Sequence, residues 1–398
     1  MDHDAAASER TMRLLAFFRE KEARDEMGIG GVRDSIADQL FPGTSTIQTR
    51  LRYFFFLPWL FQQLESRNVR AELFPSEARR AEAQLQAALI ANEAEGVEGI
   101  IGRNAGSLLK RLPSSVYWAG LKSWGIRTVD GSLQQYMALV DRARDTTRAR
   151  RRREDGDYHE ADSAGRCWDP SAITLRDEDF PANACLALSH NEAAYLLEKW
   201  QATHPHSLLT WLALRLRDDA APAEAPAIWL HPLLGEFPPA IRALVEHGRR
   251  LDVLVRGAAY LYNHQLAELD GRQELVDHYG ATIADWANGE LPSLAGWDLR
   301  QFWPLVYGHG HAITPATRNF VQEWLDTALG EAGGVVASKR ACALIRSRER
   351  TLKGAQSRFD NPAARKQWGG AAGTGALQYR WPVTRGYLQE WHAGWSCA

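Results

Sequence analysis

The 398-residue sequence predicts a mainly α, multi-helical protein with a helix-turn-helix-like N-terminal region and few short strands. Three observations carry that prediction. Apolar residues recur at spacings of three and four along most of the chain, as in Phe320/Val321, Trp324/Leu325 and Ala328/Leu329. Helix-opening signals precede such runs: Ser189 with Glu192 forms a capping box, and Thr314 stands before Pro315. Alternation of apolar and polar residues is almost absent, with residues 172–175 and 377–381 the best strand candidates.

Taken in order, residues 8–26 read as an opening helix with Leu14, Leu15 and Phe18 on one face, ended by Gly28, Gly30 and Gly31. Val32, Ile36 and Leu40 give a short helix over about 32–41. The turn Pro42-Gly43-Thr44-Ser45-Thr46 leads to a long helix capped by Thr44 or Ser45, which Pro58 should kink or end midway. Residues 77–93 form an Ala/Glu/Arg-rich helix. Residues 99–126 form two short helices broken at Leu112-Pro113, the second capped by Ser114 or Ser115. Residues 133–153 form a helix closing on arginines. Residues 154–185 lack a sustained period and read as a long loop and the main domain boundary. Helices follow from Ser189 through Trp200, over 239–270, and after Thr314 to Gly330. The stretch 218–226 is linker-like. The expected organisation is thus a helical domain over 1–153, a linker over 154–185, an acidic helical domain over 186–338 and a basic aromatic region over 339–398.

Composition narrows the class. With 45% hydrophobic residues, 15 Trp and 13 Phe, the chain can bury a substantial core and is not disordered. Its four cysteines form no CxxC pair, which argues against a zinc ribbon or disulfide framework. The start lacks the pattern of a secretory signal, and the longest apolar run, residues 53–61, falls short of the roughly 20 needed to span a bilayer. A cytoplasmic protein with no membrane role is the expectation. The net charge of −2 is segregated: residues 103–153 carry 12 Lys and Arg against 3 Asp and Glu, and residues 339–398 carry 11 against 3. The acidic middle, 154–338, carries 12 against 27. Two basic blocks imply a polyanion site if the fold joins them.

Four basic segments are candidate contacts. In the first, Thr46, Gln48, Thr49, Arg50 and Arg52 open a helix after a glycine turn, the layout in which a helix-turn-helix meets base edges and phosphates. An ordinary helical hairpin with a solvated first turn fits as well. In the second, Arg103, Asn104, Lys110 and Arg111 surround a helix joint whose apolar face is Tyr117, Trp118, Leu121 and Trp124; a packed amphipathic pair also fits. The third is the cluster Arg148, Arg150, Arg151, Arg152 and Arg153, suited to phosphate or simply to a solvated helix end. The fourth is the tail, where Arg358, Lys366, Arg380 and Arg385 alternate with Trp368, Tyr379 and Trp381 around a glycine-rich loop. That loop has no closing Lys-Ser/Thr pair and is no Walker motif. The pairs His204/His206 and His309/His311 have no third ligand at a recognisable spacing, so no metal or other cofactor is expected. No hydrolase, kinase or zincin signature is present.

The blocks Phe41-Pro-Gly-Thr-Ser-Thr-Ile-Gln-Thr-Arg50 with Tyr53, Lys110-Arg-Leu-Pro-Ser-Ser-Val-Tyr-Trp118, and the tail residues Trp368-Gly369 and Tyr379-Arg-Trp381 resemble a bacterial family catalogued only as a domain of unknown function. The resemblance spans essentially the whole chain and departs at 218–227. It implies a part in a multi-protein anti-phage defence system beside a helicase or nuclease. Combined with the charge pattern, it gives the expected function: a non-enzymatic component that binds nucleic acid, DNA first, and docks partner proteins. The alternatives are a metal-dependent nuclease or hydrolase with a dispersed site, and a pure scaffold.

Overall fold

The computed structural model describes residues 25–67, 69–103, 111–151, 167–218, 222–331 and 333–397, with residues 143–151 described as backbone only. Among the described residues there are fifteen α-helices and no strand, so the mainly α, multi-helical expectation holds. The expected opening helix lies almost wholly outside them. In chain order the helices are α1 (Gly30–Leu40), α2 (Tyr53–Ser66), α3 (Phe74–Asn92), α4 (Pro113–Ser123) and α5 (Leu133–Arg151). Next come α6 (Pro170–Thr174), α7 (His190–Thr203), α8 (Leu208–Arg217), α9 (Pro239–Leu269) and α10 (Gln273–Gly289). The last five are α11 (Leu299–Val306), α12 (Pro315–Gly330), α13 (Lys339–Lys353), α14 (Pro362–Lys366) and α15 (Trp381–Ser396).

Both strand candidates are corrected. Asp169 accepts from Ser171 N and Pro170 follows it at the first helical position, so residues 170–174 coil into α6. Around 377–381, Tyr379 and Arg380 take left-handed backbone angles, φ 48° and 65°, that no strand accommodates. Nor does Pro58 break its helix. Ten residues of α2 are buried, and their burial outweighs the roughly 3 kcal/mol that an interior proline costs. Ser189 forms the expected capping box with Glu192, and Thr314 caps α12 ahead of Pro315. On α4 neither Ser114 nor Ser115 is the cap: Leu112 holds that position, and Ser114 bonds Glu82 instead.

The chain forms two compact units, each assembled from separated segments. One combines the residues up to Ala37 with Leu233–Tyr379; the other joins Asp38–Pro232 to the chain from Arg380 onward. This differs from four consecutive segments. The described part of the expected linker is part of the second unit and is anchored to its core: Trp59 Nε1 donates to Ala172 O at 2.7 Å, and Phe180 packs on Phe56 and Trp59.

In the first unit α9 is the spine. Trp286 and Trp324 lie parallel and donate to its Val253 and Leu254 carbonyls at 2.9 and 2.8 Å. Gly257 makes room for Trp286, since a Cβ there would meet the ring at 2.1 Å. The glycine-rich loop is clamped to the same helix: Asn263 donates to Ala372 O and accepts from Ala372 N and Trp368 Nε1. In the second unit an aromatic chain runs from Phe54 through Trp124 and Trp200 to Trp391. A second aromatic cluster gathers Phe61, Phe74, Trp118, Tyr136 and Trp168.

Candidate nucleic-acid interface

The helix-turn-helix reading of residues 41–53 is corrected by the backbone. Residues 44–50 form an irregular loop and α2 begins only at Tyr53. Thr44 N and Gln48 N donate to carbonyls three residues back, and side chains accept from several of the loop's other amides. Gln48 Oε1 accepts from Ser45 N, the Tyr117 hydroxyl accepts from Thr49 N and Arg50 N, and Glu390 accepts from Leu51 N. Gly43, at φ +78°, sits where a Cβ would press into Trp124.

The five residues of that segment therefore divide. Gln48 is 4% exposed and Arg52 6%, so both are interior. The Arg52 guanidinium bonds Glu192 and the Cys185 carbonyl at 2.9 Å each, reaches Asp177 at 3.3 Å and covers the Phe56 ring. Arg50 is partly exposed but paired with Glu390 at 2.8 Å. Thr46 and Thr49 remain at the surface, with Thr49 Oγ1 donating to Gly99 O. A guanidinium already seated on a carboxylate offers little to a phosphate.

The tail behaves likewise. Arg358 is 5% exposed and pairs with Glu26 at 3.2 Å, and Lys353 pairs with the same carboxylate. Arg380 pairs with Asp38, Arg385 approaches Glu224 at 3.7 Å, and Arg350 holds Asp360 at 2.6 Å. Trp368, Tyr379 and Trp381 are buried, so they are core residues and not stacking platforms. Lys366 is exposed on α14. The tail's basic residues also fall in different units, divided between Tyr379 and Arg380.

In the second segment Tyr117, Leu121 and Trp124 are buried as read, while Trp118 is half-buried. Arg111 is exposed, and Arg103 is half-buried with no partner at Nε. Asn104 and Lys110 lie outside the described residues. So do the side chains of Arg148, Arg150 and Arg151, and Arg152 and Arg153 entirely; the helix that carries the cluster is described through Arg151.

The fold adds two arginines that the sequence reading passed over. Arg79 and Arg80 on α3 are exposed, with no ion pair within 4 Å among the described residues. They line a cavity of about 320 Å³ whose other walls include Tyr53, Leu85, Ile101 and Leu112. Arg103 and Arg111 stand two and one residues along the chain from the lining residues Ile101 and Leu112. At the cavity wall Glu82, 2% exposed, accepts from Ser114 N and Oγ at 2.9 and 2.8 Å. Burial pushes its carboxyl up to about 7, against the opposing pull of Ser114 and Arg79. The available signal was spacing. Ser76, Arg79, Ala83 and Gln86 recur at three and four, giving a helix face of small and polar residues where a packed helix carries large apolar ones.

No group of three or more His, Cys, Asp or Glu is placed to hold a metal among the described residues. His204 is engaged by Ser123, its Nε2 lying 2.9 Å from Oγ. No helix among the described residues is long and apolar enough to cross a membrane. Compared with known proteins, residues 1–394 match the model of a family of unknown function, DUF6361. No curated protein and no solved structure matches the chain significantly.

Proposed function

Since the chain belongs to DUF6361, whose description names no reaction, we propose from its own side chains that it is a non-enzymatic nucleic-acid-binding component of a multi-protein bacterial defence system. One observation carries the binding part: Arg79, Arg80 and Arg111 reach solvent without an ion pair among the described residues. The same unit holds residues 103–153, with 12 basic against 3 acidic side chains. Exposed guanidinium groups without a carboxylate partner attract polyanions and release their counterions. The defence setting rests on what the resemblance of the motifs described above implies, and a helicase or nuclease is the partner expected under it.

A gel-shift series over salt tests the binding. Affinity for duplex or single-stranded DNA or RNA should fall log-linearly with salt, by a slope of about 0.7–0.9 per phosphate contacted. Replacing Arg79, Arg80 and Arg111 with Ala should flatten that slope by about two to three. Absence of binding at low salt, or binding indifferent to salt, would exclude the proposal.

The pairing of the tail's arginines within the chain favours a second reading, a scaffold that docks other proteins without touching nucleic acid. Under it, partner proteins co-purify while every oligonucleotide fails to shift.

A further inference from the structure

The cavity beside α3 combines two chemistries that a bare polyanion site does not need. Its walls include the apolar side chains of Leu85, Ile101 and Leu112, while Arg79 and Arg80 hold unpaired positive charge. At about 320 Å³ it lies at the small end of the range for small-molecule sites, the size of one nucleotide and not of a strand. Inorganic phosphate would satisfy the arginines and leave the apolar walls against water. A neutral hydrocarbon ligand would fill the walls and leave two guanidinium groups without partners. The matching ligand carries both a phosphate and a compact, mostly flat ring.

Glu82 fixes the orientation. It already occupies the N-terminus of α4 by accepting from Ser114 N and Oγ, so a second anion has no place there and the phosphate belongs at Arg79 and Arg80. The ring then falls on the apolar side. Each Glu82 oxygen keeps a lone pair beyond its bond to Ser114, which suits the N–H edge of a nucleobase.

We propose that this cavity binds a single nucleoside phosphate, with the phosphate on Arg79 and Arg80 and the base among Leu85, Ile101 and Leu112. The assignment deepens the nucleic-acid reading and rests on it for the class of anion. The same chemistry is presented by a free nucleotide and by the phosphorylated end of a strand.

Titration of the full-length chain with fluorescent nucleoside monophosphates tests it. Nucleoside without phosphate and inorganic phosphate serve as controls. At least one of the four monophosphates should bind, and both controls should bind at least about tenfold more weakly. Ala83→Leu, at an exposed lining position, should fill the cavity and abolish nucleotide binding while leaving the salt slope for oligonucleotides unchanged. Arg80→Ala should weaken nucleotide binding about tenfold or more and provides a second, surface-only variant. Competition identifies the source. Because the strand's phosphates share Arg79 and Arg80, both oligonucleotides should compete: displacement at least about tenfold better by a 5′-phosphorylated oligonucleotide than by its 5′-hydroxyl twin assigns the strand end, and equal displacement by the two assigns the free nucleotide. The proposal is overturned if no monophosphate binds, or if binding survives Ala83→Leu with unchanged affinity. Loss of oligonucleotide binding with retained, Ala83-sensitive nucleotide binding would remove the polyanion reading and leave this site standing.

Discussion

Burial holds the Glu82 carboxyl at about 7, against an ordinary value of 4.5. A carboxyl raised in the folded state binds its proton more tightly there than in the unfolded chain. The stabilisation is therefore complete below about 4.5 and is lost as pH rises through about 7. The shift corresponds to about 3 kcal/mol. Urea unfolding from pH 4.5 to 8 should show the wild type losing stability across that window. Glu82→Gln, which cannot ionise, should lack that share of the slope. Glu390, also held at about 7 by burial, titrates in the same window and keeps the variant's profile from becoming flat. An identical pH profile in the two proteins would refute the account. Arg52 supplies a second expectation. Removing it as Arg52→Ala strands Glu192, 1% exposed, and leaves the Cys185 carbonyl without its guanidinium donor. Breaking a buried pair from one side costs about 3–5 kcal/mol. Denaturant midpoints measure this directly, and a loss below about 1 kcal/mol would mean that Arg52 is not seated as described.

At the scale of the element, local signals were legible and tertiary ones were not. The Ser189 capping box, the Thr314-Pro315 start and the period of α9 and α12 each depend on residues within one or two turns, and each appears where read. Ser189→Ala should accordingly cost about 1 kcal/mol in thermal or denaturant unfolding, with no change in oligonucleotide affinity. Residues 44–52 went the other way. Their Thr, Gln and Arg side chains look identical whether they meet a phosphate or a carboxylate. The partners that decide, Tyr117, Glu192 and Glu390, lie about 70 to 340 positions away in the chain. The tail repeats the lesson, since Arg358 and Glu26 stand 332 residues apart. The cavity beside α3 was half legible. The spacing of Ser76, Arg79, Ala83 and Gln86 marks a face without large apolar side chains, but nothing local says that Leu112 and Ile101 close the other side.

For the molecule as a whole, the order of segments along the chain is not the order of its compact parts. The final helix, α15, belongs with the unit that begins at Asp38, and packs there against α7 and α8. Its Trp381, Tyr387 and Trp391 are fully buried, and the two indoles donate to the Ala225 and Ala193 carbonyls at 2.8 Å each. Truncating a buried tryptophan costs about 3–5 kcal/mol, and a domain's entire stability is about 5–15 kcal/mol. A chain ending at residue 380 forfeits all three aromatic side chains together and uncovers Leu188, whose backbone lies against Gly394. That unit should therefore lose its cooperative unfolding transition, and its residues 38–232 should become the first cleaved in limited proteolysis. Segments 25–37 and 233–379 retain the whole spine around α9 and should stay protected. Protection factors from hydrogen exchange, compared between full-length and shortened chains, separate the two regions. Uniform loss across both, or no loss in 38–232, would contradict the interleaved arrangement and restore a consecutive division of the chain.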